Sequence, residues 1–383
     1  MQNDIVSNRI CTTHVGSLPR PESLLELLRA KTDGQDFDVA ALKTELADAV
    51  RAVVARQVGT GIDIVSDGEF SKPSYATYVT ERLTGFDGEF SGHAAQDLRD
   101  YREFARHLVE IGGVVPTAGG SCCRGPVRPR ASTSLDTDLA NLRTAAEAAR
   151  PIGTFMNAAS PGVVAVFQKN EHYPSEEAYI EAVAEALRPE YEAIVAAGFL
   201  LQIDSPDLAM GRHLAFAELD DDAFITIARR NITALNEALR NIPADRVRMH
   251  LCWGNYPGPH HRDIPLEKII ANVLAAKPKY LLLEGANPRH EHEWQVFESI
   301  DLPDDKILVP GVIDSTSNYI EHPEVVAQRI CRYADAVGRE RVMAGSDCGF
   351  STFSGYPTVY PDIAWAKLES LVEGARRASA QLW

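Results

Sequence analysis

The sequence has no run approaching the roughly 18 consecutive apolar residues of a membrane-spanning helix, so a helical membrane protein is excluded. It has no basic excess either. Its 54 Asp and Glu outnumber 38 Lys and Arg, for a formal charge of −16. Phosphate contacts need clustered Lys and Arg, so nucleic acid is not an expected partner. Cysteine is scarce: Cys11, Cys122, Cys123, Cys252, Cys331 and Cys348 follow no framework spacing. That excludes a secreted disulfide scaffold. The polar start MQNDIVSNRI has no apolar core of the signal-peptide kind. A reducing cytoplasm is the expected location, where cysteines serve as metal ligands or nucleophiles. Neither GxGxxG nor GxxxxGK[ST] occurs, so a nucleotide-binding fold has no support. No repeat of 20 to 50 residues, low-complexity tract or Pro/Ser-rich linker divides the chain.

What is present is alternation. Short aliphatic runs at Ile10–Val15, Ile62–Ser66, Gly153–Asn157, Leu200–Asp204, Val247–Trp253, Tyr280–Glu284, Ile307–Val312 and Val342–Asp347 read as strands. A weaker run lies near Gly113–Pro116. Between them, Val39–Val58, Glu176–Ala197, Ala223–Leu239, Leu266–Ala275, Pro323–Val337 and Ile363–Ala378 carry helical periodicity. Alternating strands and helices imply a parallel sheet covered by helices. The number of units predicts a single (β/α)8 barrel over residues 1–383, with an irregular excursion over 87–140. A barrel of this length fits one domain.

Five strand-like runs end in a polar residue followed at once by glycine: THVGS, VSDGE, MHLCWG, LLLEG and GSDCG. In a (β/α)8 barrel the active site lies at those strand ends. His250 and Cys252 are two apart on a strand, so both point to one side, about 7 Å apart at Cα. Glu284 and Cys348 end two further strands. Together His250, Cys252, Glu284 and Cys348 form a nitrogen, sulfur and oxygen set of the kind Zn²⁺ accepts. Ligands this far apart in sequence suit a catalytic site, where one position can be exchanged.

The motifs TTHVGSLPRP, DIVSDGE, LLQIDSPDLA, HLCWGN, LLLEGANPR and GSDCG run in order from Thr12 to Gly349. In this the chain resembles the catalytic barrel of cobalamin-independent methionine synthase, in the superfamily that includes uroporphyrinogen decarboxylase. CWGNYPGPH, EHPEVVAQRI and GSDCGF resemble a short-chain branch that includes epoxyalkane:coenzyme M transferase. The resemblance implies that His250, Cys252 and Cys348 hold zinc, with Glu284 as an exchangeable fourth ligand. It places a thiol substrate at Gly16, Ser17, Glu69 and Asp204. Zinc binding deprotonates a thiol and holds it as a nucleophile. The implied activity is methyl or alkyl transfer from a small donor to a homocysteine-like thiol.

A departure keeps a second version open. Folate-dependent members carry a proton-donating histidine in a DIHS sequence. Here the text is GVIDSTS, with Thr316 at that place. An epoxide opened by coenzyme M or a relative is the alternative, and Arg20, Arg124 or Arg128 would meet its sulfonate. His14, in THVGS, is the preferred acid. HEHEW at His290–Trp294 reads as a solvated or interface turn. A noncatalytic zinc-binding barrel is the reading from another class, and homo-oligomer assembly stays open.

Overall fold

The computed structural model describes residues 8–110, 119–131, 133–356 and 358–383. The weak run near Gly113–Pro116 lies outside the described residues. Among the described residues ten strands are assigned: β1 Ile64–Val65, β2 Phe86–Phe90, β3 Gly120–Cys123, β4 Gly153–Ala159, β5 Lys169–Asn170, β6 Leu200–Asp204, β7 Val247–His250, β8 Tyr280–Leu283, β9 Ile307–Ile313 and β10 Gly345–Ser346. The helices are α1 Glu22–Thr32, α2 Val39–Thr60, α3 Val79–Arg82, α4 Gln96–Asp100, α5 Arg102–Glu110, α6 Ser134–Ala149, α7 Pro161–Phe167, α8 Glu176–Ala196, α9 Asp221–Ala238, α10 Leu266–Leu274, α11 Pro323–Val337 and α12 Pro361–Leu382.

Seven strands form a curled parallel sheet in the order β1-β4-β6-β7-β8-β9-β10. The expected first strand, Ile10–Val15, is reduced to one bridging residue, Thr12. Its segment nonetheless bonds both sheet edges. Thr13 N donates to Ala344 O, Ala344 N to Cys11 O, and Ile64 N to Thr12 O, at 2.9, 2.9 and 3.1 Å. Inside the curl, Val15, Ile64, Phe155, Leu200, Leu282 and Val309 belong to one apolar cluster. Arg248 of β7 enters this interior, its guanidinium 3.8 Å from the Phe155 ring centroid and bonded to Thr13 Oγ1 and His14 O. The helices pack outside on a larger core.

Helix starts are written into the strand-to-helix turns. Ser160 follows β4 directly, and its hydroxyl accepts from Val163 N at 3.0 Å while donating to Asp207 at 2.6 Å. Asp207 in turn accepts from Asn231 of α9. One N-cap therefore fixes α7 and also ties together the loops after β4 and β6. Asp38, Ser175 and Asp220 cap α2, α8 and α9 in the same way.

The excursion differs from expectation at its C-terminal end. β2, β3 and β5 form a small three-stranded sheet, but α6 packs on α2 in the outer helix layer. Residues 134–140 thus belong to the helix layer. Leu139 and Leu142 of α6 are buried at helical spacing. Among the described residues no helix is long and apolar enough to cross a membrane.

Candidate active site

Parallel register sets the site. Asp204 at the end of β6 pairs with His250 at the end of β7. Ala159 pairs with Asp204 on the other side. Strand-end residues therefore converge on a cavity of about 660 Å³, including its open mouth, at the C-terminal edge of the sheet. Ser17, Glu69, Asp204, His250, Cys252 and Cys348 all line it.

His250, Cys252 and Cys348 lie together. Their ligand atoms fall within 4.8 Å of one another, and all three residues are buried. The two Sγ atoms are 3.2 Å apart, and Cys348 Sγ is 3.5 Å from His250 Nε2. Gly254 N donates to Cys252 Sγ at 3.2 Å, which favours a thiolate there. Burial, helped by Arg248, pushes the His250 imidazole down to about 3, so it is neutral, the form that ligates. Burial and the neighbouring Cys252 push the Cys348 thiol well up. For Cys252 the hydrogen bond with Cys348 works downward, but burial and the Glu284 charge carry it up. Two soft thiols and a neutral imidazole, buried in mutual reach, are a donor set that fits Zn²⁺. A divalent ion would draw the protons from the thiols and balance the resulting charge.

Glu284 stands beside this trio. Its Oε1 is 3.6 Å from Cys348 Sγ. It also accepts from Trp253 N at 2.8 Å, while Oε2 accepts from the Asn287 side chain at 2.8 Å. Both carboxylate oxygens are thus held by donors of the β7 and β8 loops. Asp347 braces the same loop by accepting from Gly285, Ala286 and Asn287 backbone N–H groups.

The second half of the cavity is a carboxylate pair. Gly16 (φ +151°) lets the first segment pass so close that an added Cβ would sit 2.5 Å from Glu69 Oε1 and 2.6 Å from Asn157. Asp204 accepts from Asn157 Nδ2 at 3.0 Å and Gln202 Nε2 at 2.9 Å. Burial raises Asp204 against those bonds. Burial also lifts Glu69 to about 8, opposed by Lys72 and assisted by Asp204. Lys72 is itself buried, its Nζ bonded to Asn157 O and lying over the Tyr78 ring.

His14 is not brought into the cavity. Its Nε2 is 2.7 Å from Gln57 of α2, and its ring packs edge-on against Phe155. Burial, the main cause, pushes it down to about 4. It faces the helix layer because its side chain points opposite to Val15, which does line the cavity. HEHEW also departs from expectation. His290 is only 2% exposed, lies 4.2 Å from the Trp253 ring, and bonds Asp263 and Glu293. Burial opposes its charge, but those two carboxylates outweigh it and lift it to about 10. His290 and Glu293 are thus a buried brace, while His292 of the same turn is exposed.

Asn157, Gln202, Lys72 and Tyr75 were not singled out from sequence. Gln202 had a signal, lying two residues before Asp204 in LLQID and so on the same side of the strand. Asn157 ends its predicted strand as a polar residue without the glycine that marked the others. Lys72 and Tyr75 sit in an aperiodic loop and had none.

Gly349, beside Cys348, leaves little room for a side chain: an added Cβ would lie 2.0 Å from Ser17 Oγ and 3.1 Å from Ser17 N. Gly349→Ala is expected to cost about 1–3 kcal/mol by overpacking. Thermal unfolding reads the loss, and Ser17 is the residue that must shift to make room.

Fold and site together define an α/β protein with a buried His/Cys/Cys centre at the C-terminal ends of its strands. The chain matches the family described as cobalamin-independent synthase, catalytic domain, over residues 10–101 and 156–375. It belongs to that family. A methionine synthase of Saccharolobus islandicus is 26% identical over 377 residues, covering 97% of this chain and 95% of the relative. A 2-hydroxypropyl-CoM lyase of Xanthobacter autotrophicus is 25% identical over 413 residues, covering 97% and 96%. Among solved structures, a B12-independent methionine synthase from Shewanella sp. W3-18-1 superposes with a TM-score of 0.73 at 21% identity, covering 98% and 99%. That likeness speaks to the fold.

Proposed function

We propose that the chain is one (β/α)8 catalytic barrel, with the Cys11–Val15 segment as its eighth stave, that transfers a methyl or other alkyl group to an aminothiol of the homocysteine kind. The observation that carries this reading is the juxtaposition of the His250–Cys252–Cys348 set with the Glu69–Asp204 pair in one cavity. His250, Cys252 and Cys348 would hold zinc, with Glu284 near enough to serve as an exchangeable ligand. When bound, the metal supplies a Lewis acid that keeps a substrate thiol deprotonated at neutral pH. Glu69 and Asp204 hold the substrate ammonium, an arrangement that needs paired anions in a dry site. Gly16, packed against Glu69, and Ser17, packed against Gly349 beside Cys348, orient the rest of the amino-acid end. Buried walls exclude water, so the thiolate meets the electrophilic carbon undiluted by solvent.

The sulfonated-thiol version is less well supported. Among the described residues lining the cavity there is no lysine or arginine. Arg20 is engaged by Ser351 and by the Glu69 and Lys72 carbonyls. Arg124 pairs with Glu171 on the small sheet, and Arg128 is exposed. A thiol-consumption screen of zinc-loaded protein tests the reading. Homocysteine, coenzyme M, glutathione and cysteine are each paired with methyl donors and small epoxides. Consumption of homocysteine or cysteine ahead of coenzyme M is expected, and turnover with coenzyme M alone sinks the aminothiol assignment.

The Glu69 shift gives a pH signature. Below about 8 its carboxyl is protonated and neutral in the free protein, so it cannot pair with an ammonium. Aminothiol kcat/KM should therefore rise with pH up to about 8. Glu69→Gln should lower it and flatten that limb. Stability runs the other way. The folded state holds this proton more tightly than the unfolded chain, so the contribution is complete below the ordinary carboxylate value and is lost as pH rises to about 8.

A further inference from the structure

The metal-type trio and the carboxylate pair account for the thiol end of the cavity. The opposite wall is largely apolar, with Phe167, Met210, Leu214 and Phe353. One polar side chain on it has no work in the reading above. Tyr75 lines the cavity, its ring fixed edge-on against Phe167 at 5.6 Å and Phe353 at 6.0 Å. Its hydroxyl bonds to none of the described residues. It stands close enough to Cys252, Asp204 and Cys348 for their charges to act on it. Burial is the main cause that pushes the phenol well above its ordinary value.

Asn255, Thr316 and His14 are engaged elsewhere, whereas Thr352 Oγ1, which also lines the cavity, accepts from Asn255 and donates to none of the described residues. Asn255 Nδ2 bonds Gly349 O and Thr352 Oγ1. Thr316 Oγ1 donates to Asp314 at 2.8 Å. His14 faces Gln57.

We propose that Tyr75 is the hydrogen-bond donor to the atom that leaves carbon when the substrate thiolate attacks. This rests on the thiol-alkylation reading of the same cavity. In the displacement a sulfur–carbon bond forms, and the bond from carbon to the leaving atom breaks. The electron pair stays on the leaving atom, which grows more basic as the bond lengthens. Tyr75 donates to it, and hands over its proton where that atom is basic enough. The phenolate then takes a proton from water at the mouth, and the proton that the thiol released on binding closes the balance.

Tyr75→Phe keeps the ring packing and removes only the donor. Two readouts are compared in the zinc-loaded full chain. Aminothiol affinity is read by calorimetry. Single-turnover rates are read with an alkyl iodide, whose leaving iodide needs no proton, and with an epoxide, whose oxygen does. Thiol affinity and the iodide rate should stay within about threefold of wild type. The epoxide rate should fall by about 10²- to 10³-fold, the range of a lost general acid. Equal epoxide rates overturn the proposal. So do equal losses with both electrophiles, which would mark a packing role, and loss of thiol affinity, which would put the phenol on the thiol. A wild type that alkylates with the iodide alone also overturns it. A wild type that binds no thiol fails earlier, on the functional reading itself, and the inference falls with it.

Discussion

Cys252→Ser is expected to lose metal and to lose alkyl transfer by on the order of 10³-fold or more, while the sheet stays folded. A serine hydroxyl keeps its proton where a thiol surrenders it, so the trio drops to one sulfur and one nitrogen. Even changes to groups that merely orient ligands cost 10- to 100-fold in metal affinity. The fold should survive because Cys252 lies beyond the end of β7 and outside the main apolar cluster. Elemental analysis reads the metal, and thermal unfolding of the metal-free wild type and variant reads the fold. The two metal-free unfolding curves should nearly coincide. Collapse of the variant would instead mark the ion as structural and favour the noncatalytic zinc-barrel reading.

Asp204→Asn should raise KM for an aminothiol by about 10²-fold, since a hydrogen bond to a charged group contributes about 1.5–3 kcal/mol. The change is nearly isosteric; besides the charge, it replaces one acceptor oxygen by an NH2 group that faces the Asn157 or Gln202 amide donor. A desamino thiol, which has no ammonium to pair, should show nearly the same KM in both proteins. Steady-state kinetics with the two thiols separates an ammonium site from a general disturbance of the loop after β6. Such a disturbance would raise both KM values together.

The elements that sequence made legible are those whose side chains repeat against a core. Leu200–Asp204 and Pro323–Val337 fall at their expected bounds, because buried aliphatic runs and i, i+3, i+4 spacing need no tertiary knowledge. Ile10–Val15 reads as a strand for the same reason, yet Thr12 alone bridges, since its hydrogen bonds are shared between two edges that each reach it briefly. His250, Cys252 and Cys348 were legible through one cue, runs that end in polar residues beside glycine, whereas Ser17, Glu69 and Asp204 were placed by the family resemblance, and Asp204 has no glycine after it. That cue also picked out His14, whose alternate position in the segment turns it to Gln57. HEHEW misled for a different reason. Its spacing describes only the turn itself, whereas its burial comes from Trp253 and Asp263, which arrive from the β7 loop. Lys72 and Tyr75 belong to a loop whose shape is dictated by what it packs against, and no local pattern encodes that.

The central claim is that the His250–Cys252–Cys348 centre activates a substrate thiol. The most direct test replaces zinc with cobalt and titrates homocysteine while watching the sulfur-to-cobalt charge-transfer absorption. An increase that saturates at one thiol per chain, and is absent in Cys252→Ser, is the predicted result. A spectrum that stays unchanged while calorimetry shows the thiol bound would contradict the account.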